Sequence, residues 1–294
     1  MQLTKNFVKA KNPCTSGYRW FLRDRNGQGD YQEILDALVA DNRIDDACWL
    51  LDQFGPTDMV LTADCIEADA VVFSGTIKVR QDIHVQSVLR AGRAIHAGAG
   101  IRAGGEIVAG EGIETSGGVV CGGAIRVGGD MKAEWGIEAE TRLEIGGGAR
   151  AQWDICAGQS ILVGGDIRGG QSLIAGGSIQ CQQGIKVGGT VRAGHDIQVL
   201  RGIQAGACIV AGNHLEAGWG MHAGGDIAAD GSIKAGEGLV AAGLITPGSG
   251  HGIYAGLKVR LDAWADAARV VASVRPDALI SGYWDEDGRC IGLA

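Results

Sequence analysis

The sequence predicts a mainly β fold: a single-stranded, three-sided parallel β-helix of about 18 residues per turn, with a small α-helical cap at its N-terminal end. Two observations carry this. Residues 91–114, AGRAIHAGAGIRAGGEIVAGEGIE, say nearly the same thing four times, a large aliphatic residue, a free residue, a small residue and glycine. The repeat then holds from Asp69 to Gly248 as thirty hexads without a slip. Repeats of this kind are read before domains are counted.

The third place of each hexad is apolar, from Val71, Ile77 and Ile83 through Ile227, Ile233, Leu239 and Ile245, with Ala149 the smallest. The fifth place is usually small or aliphatic, with Thr115, Gly169 and Pro247 among the departures. Places three and five lie on one side of an extended backbone, and places two and four on the other. Each hexad is therefore a short strand with one buried face. Glycine dominates places six and one, where a corner needs positive φ or a close backbone approach. Three hexad sides make one turn, with the aliphatic places stacked into an interior column. Trp135 and Trp153, three hexads apart, then sit one above the other. Ten turns at roughly 4.8 Å make a rod on the order of 48 Å long. A helical reading fails because the spacings are two and four, and each glycine would weaken a helix by about 1 kcal/mol.

Composition supports a folded repeat. The 294 residues include 51 Gly and only 4 Pro, and 46% are hydrophobic. Collagen needs abundant proline and a disordered linker lacks such apolar content, so both are excluded. The net charge of −8 argues against a general coat for nucleic acid or anionic membranes. No long apolar run or signal-peptide core is present, which gives the expectation of a cytoplasmic protein without a membrane partner. The eight cysteines, Cys14, Cys48, Cys65, Cys121, Cys156, Cys181, Cys208 and Cys290, lack metal-ligand spacing and read as isolated thiols.

Residues 1–62 form an N-terminal segment, 63–248 the hexad rod, and 249–294 an irregular β continuation with a second cap. Within DYQEILDALVADNRIDDACWLLDQFG, two amphipathic helices are expected, carried by Ile34, Leu35, Leu38 and Val39, then by Ile44, Ala47, Trp49, Leu50 and Leu51. Gly55 and Pro56 close the second. A solenoid's last turn exposes unpaired backbone and apolar residues, and this helical pair is expected to cover it. After Pro247 the pattern resumes two residues late if Ile253 takes a third place, and strands continue to about Ile280.

Hexapeptide acyltransferases share the period but set the small residue four after the aliphatic one, whereas here it falls two after, as in Ile95 and Ala97. The strings GDIRGGQSLIAGGSIQ and QGIKVGGTVRAGHDIQ are instead similar to those of bactofilins and related polymer-forming β-helical proteins. That resemblance covers the solenoid alone. It implies a right-handed β-helix without catalytic residues, and in bactofilins also end-to-end polymerisation into filaments. The substantial flanking segments here depart from the short tails of that family and favour a discrete capped particle.

With three hexads to a turn, the fourth places sort into faces. One reads Lys78, His96, Glu114, Lys132, Arg150, Arg168, Lys186, Gln204, His222, with four successive cations at its middle. Like charges one rung apart repel and call for solvent or an anionic partner. Two readings stand: a docking stripe for an acidic surface or, less favoured, a phosphate backbone, or a solvated face offset by Asp130, Glu134 and Asp166. A second face reads Val120, Glu138, Cys156, Ile174, Arg192, Val210, Ala228, with Trp135 and Trp153 at its corner. Its apolar members are covered either by the flanking segments or by a partner, a second copy included.

Catalytic signals are weak. His84, His96, His195, His214, His222 and His251 do not repeat at the interval of one turn, and Cys156 has no histidine at its own place one rung away. Glu138 and Glu144 fall on different faces, and the Gly-x-Gly fragments precede no helix. No cofactor or metal is expected. The leading expectation is a non-enzymatic rigid scaffold or binding protein presenting side-chain ladders to a protein partner or to itself. The alternatives are a bactofilin-like filament subunit and an enzyme with a site around His251, Tyr254, Tyr283 and Asp285.

Overall fold

A computed structural model describes residues 1–286. The rod is a parallel β-helix of three sheets, holding 13, 11 and 12 strands, in which each strand up to Leu239–Ala241 bonds to the strand three further along the chain. Each hexad strand covers places three to five, as in Ile101–Ala103, with the outer two residues buried and the middle one outward. Ile101 registers on Val119, and Val119 on Ile137, so the inward residues lie one above the other at steps of three hexads. The aliphatic places form one continuous core from Phe73 to Val270. Fully burying each Ile or Leu is worth about 1.5–3 kcal/mol, repeated at every corner-to-corner side.

The sheets extend beyond the ten turns counted from the hexads, because additional rungs lie outside the regular register. At the start, β3 (Val60–Ala63) sets Leu61 against Ile77, and β4 (Ile66–Ala68) sets Ile66 against Ile83, steps that fall two and one short of a full turn. Only with β5 (Val71–Phe73) does the regular step begin, Val71 lying on Leu89. At the far end Ile253 lies on Ile233, which is the two-residue insertion expected from the sequence. A larger insertion, including a short helix at Trp264–Ala267, precedes Arg269–Val271, and strands continue to Trp284.

Corner glycines serve close approach rather than positive φ. None of the hexad corner glycines has positive φ. At Gly146 an added Cβ would stand 2.2 Å from the carbonyl oxygen of Gly128, one rung below. Corner backbone is also stitched by side chains. Asp82, Asp130, Asp154, Asp166, Asp196 and Asp226 each accept, through Oδ1, the N–H of the residue one turn further on, at 2.7–3.1 Å. A corner N–H that the ladder leaves over is thereby satisfied.

The N-terminal unit contains more than the two expected helices. An antiparallel pair, β1 (Gln2–Thr4) and β2 (Gln28–Asp30), brackets α1 (Lys5–Lys9) and α2 (Thr15–Asp24). Then come α3 (Tyr31–Ala40) and α4 (Ile44–Phe54), as the periodicity predicts. Asp30 caps α3 by accepting the Gln32 N–H at 3.0 Å, and Gly55, at φ +76°, ends α4. Trp20, Phe21, Leu35, Leu38, Leu50 and Leu51 form a separate core that closes over Val72, the outward residue of β5.

This unit covers the solenoid's end, as expected, but on one side. Val71 N–H and Phe73 C=O bond to the next rung, so Val72 C=O and Ser74 N–H face the open side. The Gln32 carboxamide fills that side. Its Nε2–H donates to Val72 O at 3.1 Å, and its Oε1 accepts the Ser74 N–H at 2.9 Å. A side chain from α3 thus takes the place of a preceding strand. Val72 anchors the unit because it is an apolar outward residue at the foot of its column, below Arg90 and Val108. By contrast, Leu61, Ile66 and Val71 of the first rung stay partly exposed, and Met59 and Val60 are exposed.

Gln32→Met keeps the volume of this plug and removes both hydrogen bonds. We expect it to lower stability by about 1–3 kcal/mol and to speed exchange of the Ser74 amide. Unchanged exchange at Ser74 would show that Gln32 does not close the edge.

Candidate surface sites

The basic stripe forms as the three-hexad turn requires. Lys78, His96, Glu114, Lys132, Arg150, Arg168, Lys186, Gln204 and His222 lie in register along one sheet, one residue per strand. Its cations are not equivalent. Lys132 Nζ sits 3.0 Å from Glu114 and 3.5 Å from Glu134, and those carboxylates raise its pKa, the Glu114 hydrogen bond most. Arg168 reaches Asp166 at 3.6 Å. Asp130 is engaged instead with the Gly148 N–H. Among the described residues Arg150 and Lys186 form no ion pair, so the offset expected from Asp130, Glu134 and Asp166 is partial.

Beside the stripe runs an open trough. Its first part, about 560 Å³, is floored by Gly146, Gly147, Gly148, Gly164 and Gly165 and walled by Lys132, Arg150 and Arg168. It continues, sharing Asp166 and Arg168, into a second part of about 640 Å³ bordered by Lys186, Arg201, Trp219 and His222. Bare corners thus leave the long cations standing above a backbone floor. At the upper end Arg201 stacks its guanidinium on the Trp219 ring, 5.5 Å from the centroid. Arg201 and Trp219 were not among the sequence candidates. Their signal was a one-turn interval at one corner place, the same signal that singled out Trp135 and Trp153.

Those two tryptophans stack with centroids 5.9 Å apart and planes at 12°, and each is 58% exposed. Next to them Val120, Cys156, Ile174 and Val210 share one outward column with Glu138, Arg192 and Ala228. Val120 and Ile174 remain exposed, at 38% and 39%. The N-terminal helices pack on the sheet begun by β5, not on this one. Of the two flanking segments expected to cover this face, the N-terminal one packs elsewhere, and the outward apolar residue it encloses is Val72. Burial, with Asp154 and Glu138 alongside, raises the Cys156 thiol above its ordinary value.

The C-terminal polar residues occupy separate patches. His251 meets His214 edge-on at 5.6 Å, Tyr254 lies beside Lys234 on the third sheet, and Tyr283 and Asp285 lie at the end of the basic sheet, with Asp285 paired to Arg269. Seven of the cysteines are free thiols, and Cys290 lies outside the described residues. Among the described residues no group of three or more His, Cys, Asp or Glu is arranged to hold a metal, and no helix is long and apolar enough to cross a membrane.

A family model described as the YdhT N-terminal domain matches residues 1–55, the span that ends with the glycine closing α4. No curated protein and no solved structure matches the chain.

The stacked indoles should produce a coupled signal in near-ultraviolet circular dichroism. Trp135→Ala and Trp153→Ala should each abolish it, since either removes the pair. A signal that survives both single substitutions would contradict the stacking.

Proposed function

We propose that the protein is a rigid scaffold that presents the basic stripe and its trough to an acidic surface of a partner protein. The observation that carries this reading is the run of Arg150, Arg168 and Lys186 on consecutive strands over a glycine floor, two of them without an ion pair among the described residues. Three such cations at about 4.8 Å spacing carry a repulsion that an anionic partner relieves. Solenoid strands are fixed before contact, so little ordering cost opposes binding. Complementary charge of this kind raises association rate and selects the partner.

Uneven compensation gives the test its shape. Protein captured from the native host by immobilised wild type should be lost with Arg150→Glu/Arg168→Glu/Lys186→Glu, while Lys132→Ala, whose charge is already matched by two glutamates, should retain most of it. Capture should also fall steeply with salt. Undiminished capture by the triple variant would reject the stripe as the docking surface.

A second reading, self-assembly at the solenoid end, is favoured by the first rung, where β3 and β4 carry partly exposed Leu61 and Ile66 and an open strand edge. Filaments that disappear on Glu67→Pro, which deletes one N–H from that edge, would favour this reading over the discrete particle.

A further inference from the structure

The outward column beside the tryptophans is self-complementary when read backwards. Over its six central rungs, between Arg102 before and Ala228 after, it runs Val120, Glu138, Cys156, Ile174, Arg192, Val210. Inverting it about the midpoint between Cys156 and Ile174 sets Val120 against Val210, Glu138 against Arg192, and Cys156 against Ile174. Apolar residues meet apolar ones, and the acid meets the base. Neither Glu138 nor Arg192 forms an ion pair with any described residue of its own chain, and both are exposed.

We propose that this face is the interface of an antiparallel homodimer, with the two-fold axis lying along the strands between the Cys156 and Ile174 rungs. Such an axis turns one rod end for end over the other and keeps the columns aligned, because both copies have the same rung spacing. A two-fold contact is isologous, so each pairing occurs twice: Glu138 with Arg192 of the partner subunit and Arg192 with the partner's Glu138. The opposite arrangement, rods side by side in the same direction, sets Glu138 against its own copy and Arg192 against its own copy. Like charges so placed select against it.

The corner agrees with the same inversion. Trp135 and Trp153 protrude from the rungs of Glu138 and Cys156. The inverted rungs bring opposite them the corner at Gly188 and Gly189 and the corner at Gly170 and Gln171, where only one of four residues has a side chain. The glycines at the sixth place are demanded by the rod itself, since a Cβ on Gly170 would stand 1.9 Å from the Gln152 carbonyl oxygen. They leave room beside the column for the partner's indoles, which are the kind of rigid aromatic anchor found at interface centres. The six paired rungs span about 24 Å at 4.8 Å per rung.

Sedimentation equilibrium across the micromolar range tests the axis. Wild type should be a dimer. Glu138→Arg alone and Arg192→Glu alone each convert two attractive contacts into two repulsive ones, and each should weaken dimerisation about 100-fold. The double variant Glu138→Arg/Arg192→Glu should recover the wild-type dissociation constant to within about threefold, because the pairs are re-formed with sign exchanged. Trp153→Ala should weaken it about tenfold. These side chains are exposed, and circular dichroism checks that the rod persists. A wild-type monomer throughout the range, a dimer indifferent to the single reversals, or a double variant no better than either single one would each overturn the proposal. The basic trough lies on a different sheet, so capture through it is expected to be unaffected by Glu138→Arg, and the two assays fail independently.

Discussion

The bond that orders this molecule is the hydrogen bond between a residue and its counterpart one turn along. Every strand is only about three residues long, too short to persist alone, and gains its stability from a neighbour above and one below. Register is enforced three ways at once. Ladder bonds align the strands, stacked aliphatic residues such as Ile101, Val119 and Ile137 resist any slip, and corner aspartates bind the backbone of the next rung. A shift of one residue would turn those aliphatic side chains outward, so the hydrophobic effect and the backbone pairing demand the same answer.

From that register the surface follows without further assumptions. A fourth-place residue can only project outward, and it can only stand over its counterpart one turn before. Four cations at that interval become a stripe, two tryptophans become a stack, and an acid three rungs from a base becomes half of a self-complementary column. The chemistry of the protein is therefore written as intervals rather than as a local motif. The stripe and the column sit on different sheets of one rod, so the proposed pairing with a copy and the proposed docking of an acidic partner use separate sides.

The rod, its faces, the stack of Trp135 on Trp153 and the two-residue insertion before Ile253 were legible because a period of six leaves no competing arrangement. The first rung was not legible, because its steps, from Leu61 to Ile77 and from Ile66 to Ile83, fall short of the repeat that marks the later rungs. Nor were α1 and α2 legible. The short α1 has no capping side chain, α2 is capped by the thiol of Cys14 in place of the usual oxygen, and both are held by the long-range pairing of β1 with β2. The role of Gln32 belongs to the same class. Nothing in its neighbours marks it as the stand-in for a strand, because the groups it satisfies belong to Val72 and Ser74, far along the chain. In the trough, Arg201 and Trp219 share one corner interval, but their meeting with the stripe depends on where the corner opens.

The register of three hexads per turn is tested most directly by spin labels. In a background with Cys14, Cys48, Cys65, Cys156, Cys208 and Cys290 replaced by serine, labels attached at Arg168→Cys and Lys186→Cys should lie about one rung apart and show strong spin exchange. Labels at Arg168→Cys and Gln180→Cys, two hexads apart and on different sheets, should not. Strong exchange in the second pair and none in the first would contradict the three-sided winding on which every surface assignment rests.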